Sequence, residues 1–223
     1  MPEQNTIIDA ILHQGMLPLF YHEDPANCGQ VVQALYEGGV RIIEFTNRGP
    51  NALSNFRQLV QWRNEKWPGL LLAIGTIKTK ADAGTYLNAG ADFLICPGTV
   101  KEVGETIQNA GKLWIPGCMT VSEILLAQAT GARFIKLFPG NLLGPSFMAG
   151  IRDIFPELYF MPTGGVELTP ENLQQWFESG VAAVGLGSKF LSKTVLEKRD
   201  YTSITASTVA ALAMIAAAKQ STR

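Results

Sequence analysis

RFIKLFPG, residues 133–140, sets one lysine inside an apolar run that ends in Pro-Gly. A run this short, continuous and rich in β-branched and aromatic residues reads as a strand covered on both faces. Seven runs of the same kind recur: MLPLFYH from Met16, RIIEFTN from Arg41, LLLAIGTI from Leu70, DFLICPG from Asp92, LWIPGC from Leu113, LYFMPTGG from Leu158 and AAVGLGS from Ala182. Successive runs begin 20 to 29 residues apart, room for a crossover helix each time. Eight βα units without a Pro/Ser-rich linker or a composition break predict an α/β fold. The architecture expected is one (β/α)₈ TIM barrel filling residues 1–223 as a single domain. An open doubly wound sheet is the alternative, but MLPLFYHEDPANCG lacks the Gly-x-Gly-x-x-Gly turn that often follows its first strand.

Helix ends between the runs are legible. Thr120-Val-Ser-Glu123 fits a capping box, and Thr169-Pro170-Glu171 puts proline at the first helical position. Gly39, Gly90 and Gly180 each close a helix just before the next run. Residues 1–14 and 201–219 read as additional helices at the two ends. The apolar tail from Ala206 to Ala218 is shorter than the ~20 residues of a spanning helix, so it is expected to dock on the domain or on a neighbouring subunit.

Composition narrows the function. Apolar residues are 47% of 223, enough for a sizeable core, and the net charge of -1 argues against a nucleic-acid partner. Charged residues are 17%, against a usual ~25%, which favours self-association. Cys28, Cys96 and Cys118 stand far apart, and His13 and His22 are the only histidines, so neither a disulfide framework nor a metal site is expected. The N-terminus has no basic segment followed by an apolar run, so the default expectation is a soluble cytoplasmic protein with no membrane partner.

In a barrel, chemistry belongs to the C-terminal ends of the strands. Lys136 is the oddity of the sixth run. Burial disfavours an ammonium, and a free amine can attack a carbonyl. The bland alternative is a stem that packs while its head reaches water. Glu44, in the second run, suits proton transfer in the same mouth, or else a structural salt bridge to Arg41 or to a neighbouring strand. Arg48 carries a fork suited to a carboxylate, although a surface arginine would look the same. Thr163-Gly164-Gly165 and Gly187-Ser188 end the seventh and eighth runs, where barrels hold phosphate, although glycine also serves tight turns. His22 and Cys118 read as fortuitous positions at the strand ends.

With these residues in view, the chain resembles the family of 2-keto-3-deoxy-6-phosphogluconate (KDPG) and 4-hydroxy-2-oxoglutarate (KHG) aldolases. The resemblance runs from about Ile8 to Ser192 and is carried by GGVRIIEFTNR, AIGTI, GADFLICPG, IPGCMTVSE, FIKLFP, MPTGGV and GLGS. It implies a class I, Schiff-base aldolase of the Entner–Doudoroff type, free of cofactor and metal and commonly trimeric. Lys136 would form the imine and Glu44 would move protons. Arg48 and Thr76 would hold the pyruvate carboxylate. Thr163, Gly164, Gly165, Gly187 and Ser188 would take hydroxyl and phosphate, with Pro97 and Phe138 as walls. KDPG, cleaved to pyruvate and glyceraldehyde 3-phosphate, is the substrate implied first. The galactonate analogue or unphosphorylated 4-hydroxy-2-oxoglutarate is the alternative. More remote are a phosphosugar isomerase or epimerase and a non-catalytic phosphosugar-binding barrel. Gly140-Asn141 departs from the Ala-Glu common in the family, and Thr163 matches the gluconate branch, where galactonate enzymes tend to carry valine.

Overall fold

A computed structural model describes residues 3–221. Met1, Pro2, Thr222 and Arg223, the ends of the predicted domain, lie outside the described residues. The chain opens with helix α1 (Gln4–Gln14), then alternates strand and helix: β1 (Met16–Phe20), α2 (Pro25–Glu37), β2 (Ile42–Thr46), α3 (Ala52–Lys66), β3 (Leu71–Gly75), α4 (Lys80–Asn88), β4 (Phe93–Ile95) and α5 (Lys101–Asn109). The fifth apolar run forms two short strands, β5 (Leu113–Ile115) and β6 (Gly117–Cys118), followed by α6 (Val121–Ala129). Then come β7 (Phe134–Leu137), α7 (Gly140–Ile151), β8 (Tyr159–Pro162), α8 (Pro170–Glu178), β9 (Val184–Leu186), α9 (Lys193–Lys198) and α10 (Tyr201–Gln220).

Every strand pair is parallel, and the strands form two curled arcs, β5-β4-β3-β2-β1-β9 and β6-β7-β8. The expected single ladder is therefore divided, and the division falls at Pro116. Proline has no N–H to give, yet its carbonyl still accepts from Lys136 N–H at 2.9 Å. At the other junction Thr163 bridges Gly185, and Ala182 N–H donates to Phe160 C=O at 2.9 Å.

Two apolar clusters build the core. One lies between strands and outer helices. The other is enclosed by the strands: Leu17, Ile42, Ala73, Phe93, Leu113, Phe134 and Met161, with Ile7, Ile8 and Ile11 of α1 packed among them. The N-terminal helix thus plugs the end of the sheet at which the strands begin. Thr120 makes a complete capping box with Glu123, Thr169 caps α8, and Gly39, Gly90 and Gly180 take positive φ.

The C-terminal helix lies where the sequence reading puts it, one residue longer than 201–219. α10 runs for 20 residues, and its most apolar 18-residue window has a mean hydropathy of 1.5, so by length and composition it reaches what a spanning helix needs. Ile204, Thr208, Ala211, Ile215 and Ala218 nevertheless form one buried stripe at helical spacing, packed on α2 and α8. Gly38 permits this approach, since a side chain there would meet Thr208 Cβ at 2.6 Å.

Candidate active site

Side chains alternate along a strand, so residues two apart share a face. Ile42 and Phe134 fill the inner apolar cluster. Two residues further along β2 and β7, the same inner face carries Glu44 and Lys136 above that apolar floor. Lys136 is 3% exposed and Glu44 0%. Lys136 Nζ stands 3.8 Å from Glu44 Oε1 and 5.3 Å from the centre of the Phe138 ring. Neither carboxylate oxygen of Glu44 has a hydrogen-bond partner.

This geometry removes the snorkelling lysine and the Arg41 pair, and leaves Glu44 in an ion pair with Lys136 of another strand. A lysine head reaching solvent would not be 3% exposed. Arg41 does not pair with Glu44: its guanidinium donates to the carbonyls of Tyr36 and Val40 and lies 4.0 Å from the Tyr36 ring centre. A buried ion pair with unmet polar atoms is costly to fold. A reacting site tolerates that cost, because a substrate can supply the missing partners.

Arg48 and Thr76 stand beside this pair. The exposed Arg48 donates from Nε to Thr76 Oγ1 at 3.3 Å. Thr76 has φ +64°, a left-handed conformation that a β-branched residue seldom adopts. The connecting stretch is pinned: Asn47 N–H donates to Gly75 C=O at 2.9 Å, and Tyr86 Oη donates to Asn47 Oδ1 at 2.8 Å.

Thr163 follows β8, 4% exposed, with no partner for its hydroxyl. Gly164 and Gly165 take φ +89° and +79°. The Thr163 and Gly164 carbonyls accept from Gly140 and Asn141 at the start of α7, both at 2.8 Å. Among the described residues, the N–H of Gly165 has no protein acceptor, as an anion-binding turn requires. Gly187 and Ser188 line a cavity of about 500 Å³ together with Arg48, Tyr21, His22 and Lys193. Pro97 stands half-buried at the end of β4.

Tyr21 and Lys193 in that cavity escaped sequence reasoning, because no motif marks either. His22 is fixed by its surroundings: Nδ1 accepts from Asp24 N–H at 3.0 Å, and Asn27 Nδ2 lies 3.0 Å from Nε2. Burial pushes the Cys118 thiol up to about 11 and those of Cys28 and Cys96 up to about 12, so none is an activated thiolate. Among the described residues no cluster of three His, Cys, Asp or Glu side chains is placed to hold a metal. A larger cavity, about 730 Å³, lies at the other end of the strands between α1 and α10. Its cations are engaged with main-chain carbonyls, Arg41 with Tyr36 and Val40 and Lys219 with Leu12.

Residues 7–207 match the family model for KDPG and KHG aldolases. The chain belongs to that family. Its members are aldolases, so this is a carbon–carbon lyase, and the isomerase and sensor alternatives fall away. It is 31% identical to 2-dehydro-3-deoxy-phosphogluconate aldolase of Pseudomonas aeruginosa over 206 residues, covering 91% of this chain and 90% of that one. It is 28% identical to 2-dehydro-3-deoxy-6-phosphogalactonate aldolase of Escherichia coli over 158 residues, 70% of this chain and 75% of that one. The KDPG aldolase of Legionella pneumophila, solved with pyruvate captured as a covalent carbinolamine, superposes with a TM-score of 0.83 at 26% identity, covering 92% of this aldolase and 97% of that one.

Proposed function

We propose that this aldolase cleaves KDPG reversibly to pyruvate and glyceraldehyde 3-phosphate through an imine on Lys136. The observation that carries the reading is the buried Lys136 amine 3.8 Å from a carboxylate that has no other polar partner. The amine adds to the C2 ketone, and the carbinolamine loses water as Glu44 moves the protons. Glu44 then accepts the C4 hydroxyl proton while the C3–C4 bond breaks, and the electron pair passes to the protonated imine to give an enamine. Protonation at C3 and hydrolysis release pyruvate and return the free lysine.

Arg48 and Thr76 hold the carboxylate of the pyruvyl half. The unpaired Thr163 hydroxyl suits a substrate hydroxyl, and Gly164, Gly165, Gly187 and Ser188 take the phosphate, with Pro97 and Phe138 as walls. Fixing both ends sets the scissile bond between the catalytic groups. In this reading the two arcs close into one eight-stranded barrel forming a single domain, with Pro116 and the Thr163–Gly185 bridge as its seams. It works without a cofactor, in the cytoplasm, as a homotrimer. Met119, Val121, Leu125 and Leu126, crowded around the start of α6 and 38–51% exposed, support burial against further copies.

The substrate is tested by running the aldol direction from pyruvate with glyceraldehyde, glyceraldehyde 3-phosphate and glyoxylate, and assigning the product at C4. The reading predicts at least a tenfold higher kcat/KM with the phosphorylated aldehyde and the gluconate configuration. Equal rates with and without phosphate would remove the loop assignment. A galactonate product would move the enzyme to that alternative.

A further inference from the structure

Glu44 poses a packing question. Its carboxylate makes no hydrogen bond, and Lys136 Nζ at 3.8 Å is beyond hydrogen-bond reach, so something other than a polar partner must set its position. β2 and β3 pair with Glu44 opposite Ala73 and Thr46 opposite Gly75. The Glu44 side chain leans along the strands and lies over the Cα of Gly75. A Cβ on residue 75 would overlap Glu44 Oε1 outright and meet Cδ at 2.5 Å and Cγ at 2.9 Å.

Gly75 has no conformational need to be glycine. It lies inside a regular strand, and it is absent from the glycines with positive φ, such as Gly39 and Gly90. The nearest atoms that a side chain there would meet all belong to Glu44. The same packing recurs at the phosphate end. A Cβ on Gly185, also without positive φ, would overlap Thr163 Oγ1 and meet its Cβ and Cγ2 at 3.1 Å. Two buried side chains of the mouth that make no hydrogen bond thus each rest on a glycine of the neighbouring strand.

We propose that Gly75 is a positioning residue of the aldol reaction, its missing side chain being the slot that seats the Glu44 carboxylate opposite Lys136. This rests on the roles given to Glu44 and Lys136 above. A methyl at position 75 pushes against the end of a flexible side chain rather than against backbone, so the carboxylate gives way and the strand stays. Lys136 keeps its surroundings and the proton shuttle loses its place.

Gly75→Ala is therefore expected to reach the same borohydride-trapped pyruvate on Lys136 at long incubation, but more slowly, while kcat falls by about 100-fold, the lower range for a lost general acid–base, with KM little changed. Shortening the acid restores room, so Glu44→Asp/Gly75→Ala should exceed the product of the two single effects by about tenfold, a coupling expected of groups in contact. Gly84→Ala, at a helical glycine with nothing within 4 Å, is the control and should keep full activity. Melting temperatures give a readout without turnover: Gly75→Ala should lower Tm in wild type and leave it unchanged in a Glu44→Ala background. If Gly75→Ala alone is too unstable to assay, recovery of folding in Glu44→Ala/Gly75→Ala supports the slot, and failure of both variants to fold overturns it. Wild-type kcat in folded Gly75→Ala, or an equal Tm loss in both backgrounds, also overturns it. Absence of a pyruvate adduct in wild type would instead remove the imine reading, and the melting cycle would still decide what seats Glu44.

Discussion

Thr76 stores strain where the site needs a donor. A β-branched residue at φ +64° costs about 1–3 kcal/mol, and Oγ1 is thereby held on Arg48. Thr76→Gly removes both the strain and the hydroxyl. It is expected to raise Tm by a few degrees, from roughly 1 kcal/mol of relief in a chain of this size, while KM for substrate rises several-fold. A fall in Tm with KM unchanged would show that the conformation is comfortable and the hydroxyl idle. At this scale the sequence singled out the residues of the proposed chemistry because they are rare choices for buried strands, a lysine in FIKLF and a glutamate in RIIEF. It did not disclose Gly75 or Lys193, because a glycine that makes room and a lysine at a cavity rim look like any other glycine and lysine.

At the scale of elements, the cap of α6 is the most explicit local instruction in the chain. Glu123 Oε2 accepts from Met119 N–H and Thr120 N–H, both at 2.8 Å, and Thr120 Oγ1 accepts from Glu123 N–H at 3.3 Å. These bonds, the one from Met119 foremost, hold the Glu123 carboxyl below its ordinary value of 4.5. A depressed carboxyl contributes stability above its unfolded pKa and loses it as pH falls through the lower folded value. Acid unfolding of Glu123→Gln should therefore show a weaker pH dependence below about pH 4.5, and Thr120→Ala should cost about 1 kcal/mol at neutral pH. Equal acid profiles for wild type and Glu123→Gln would contradict this. Caps and Gly exits were readable because their side-chain chemistry is local. The break at Pro116 was not, because LWIPGC has the composition of one strand, and only the ladder to β4 on one side and β7 on the other divides it. The extent of α10 was readable, since its alanine-rich stretch has high helix propensity and Thr202, Ser203 and Thr205 do not end it.

Over the whole molecule, the α/β class and the parallel strand order followed from the recurrence of apolar runs, since few other folds need so many strands buried on both faces. The proposed assembly rests, in the sequence, on the low charge fraction alone. The structure adds exposed apolar residues around α6, where Leu125 is 51% exposed and Leu126 44%. Leu125→Glu is expected to reduce the mass in solution, measured by light scattering, toward the 24.2 kDa of one chain. An unchanged oligomer would place the interface elsewhere. The central claim is the imine, and one measurement addresses it directly: incubation with pyruvate and borohydride, intact mass, and peptide mapping of wild type and Lys136→Ala. One reduced pyruvyl adduct per chain, mapped to Lys136 and lost in the variant, is the predicted result. No adduct on folded wild-type protein, or an adduct that persists in Lys136→Ala, would contradict the account.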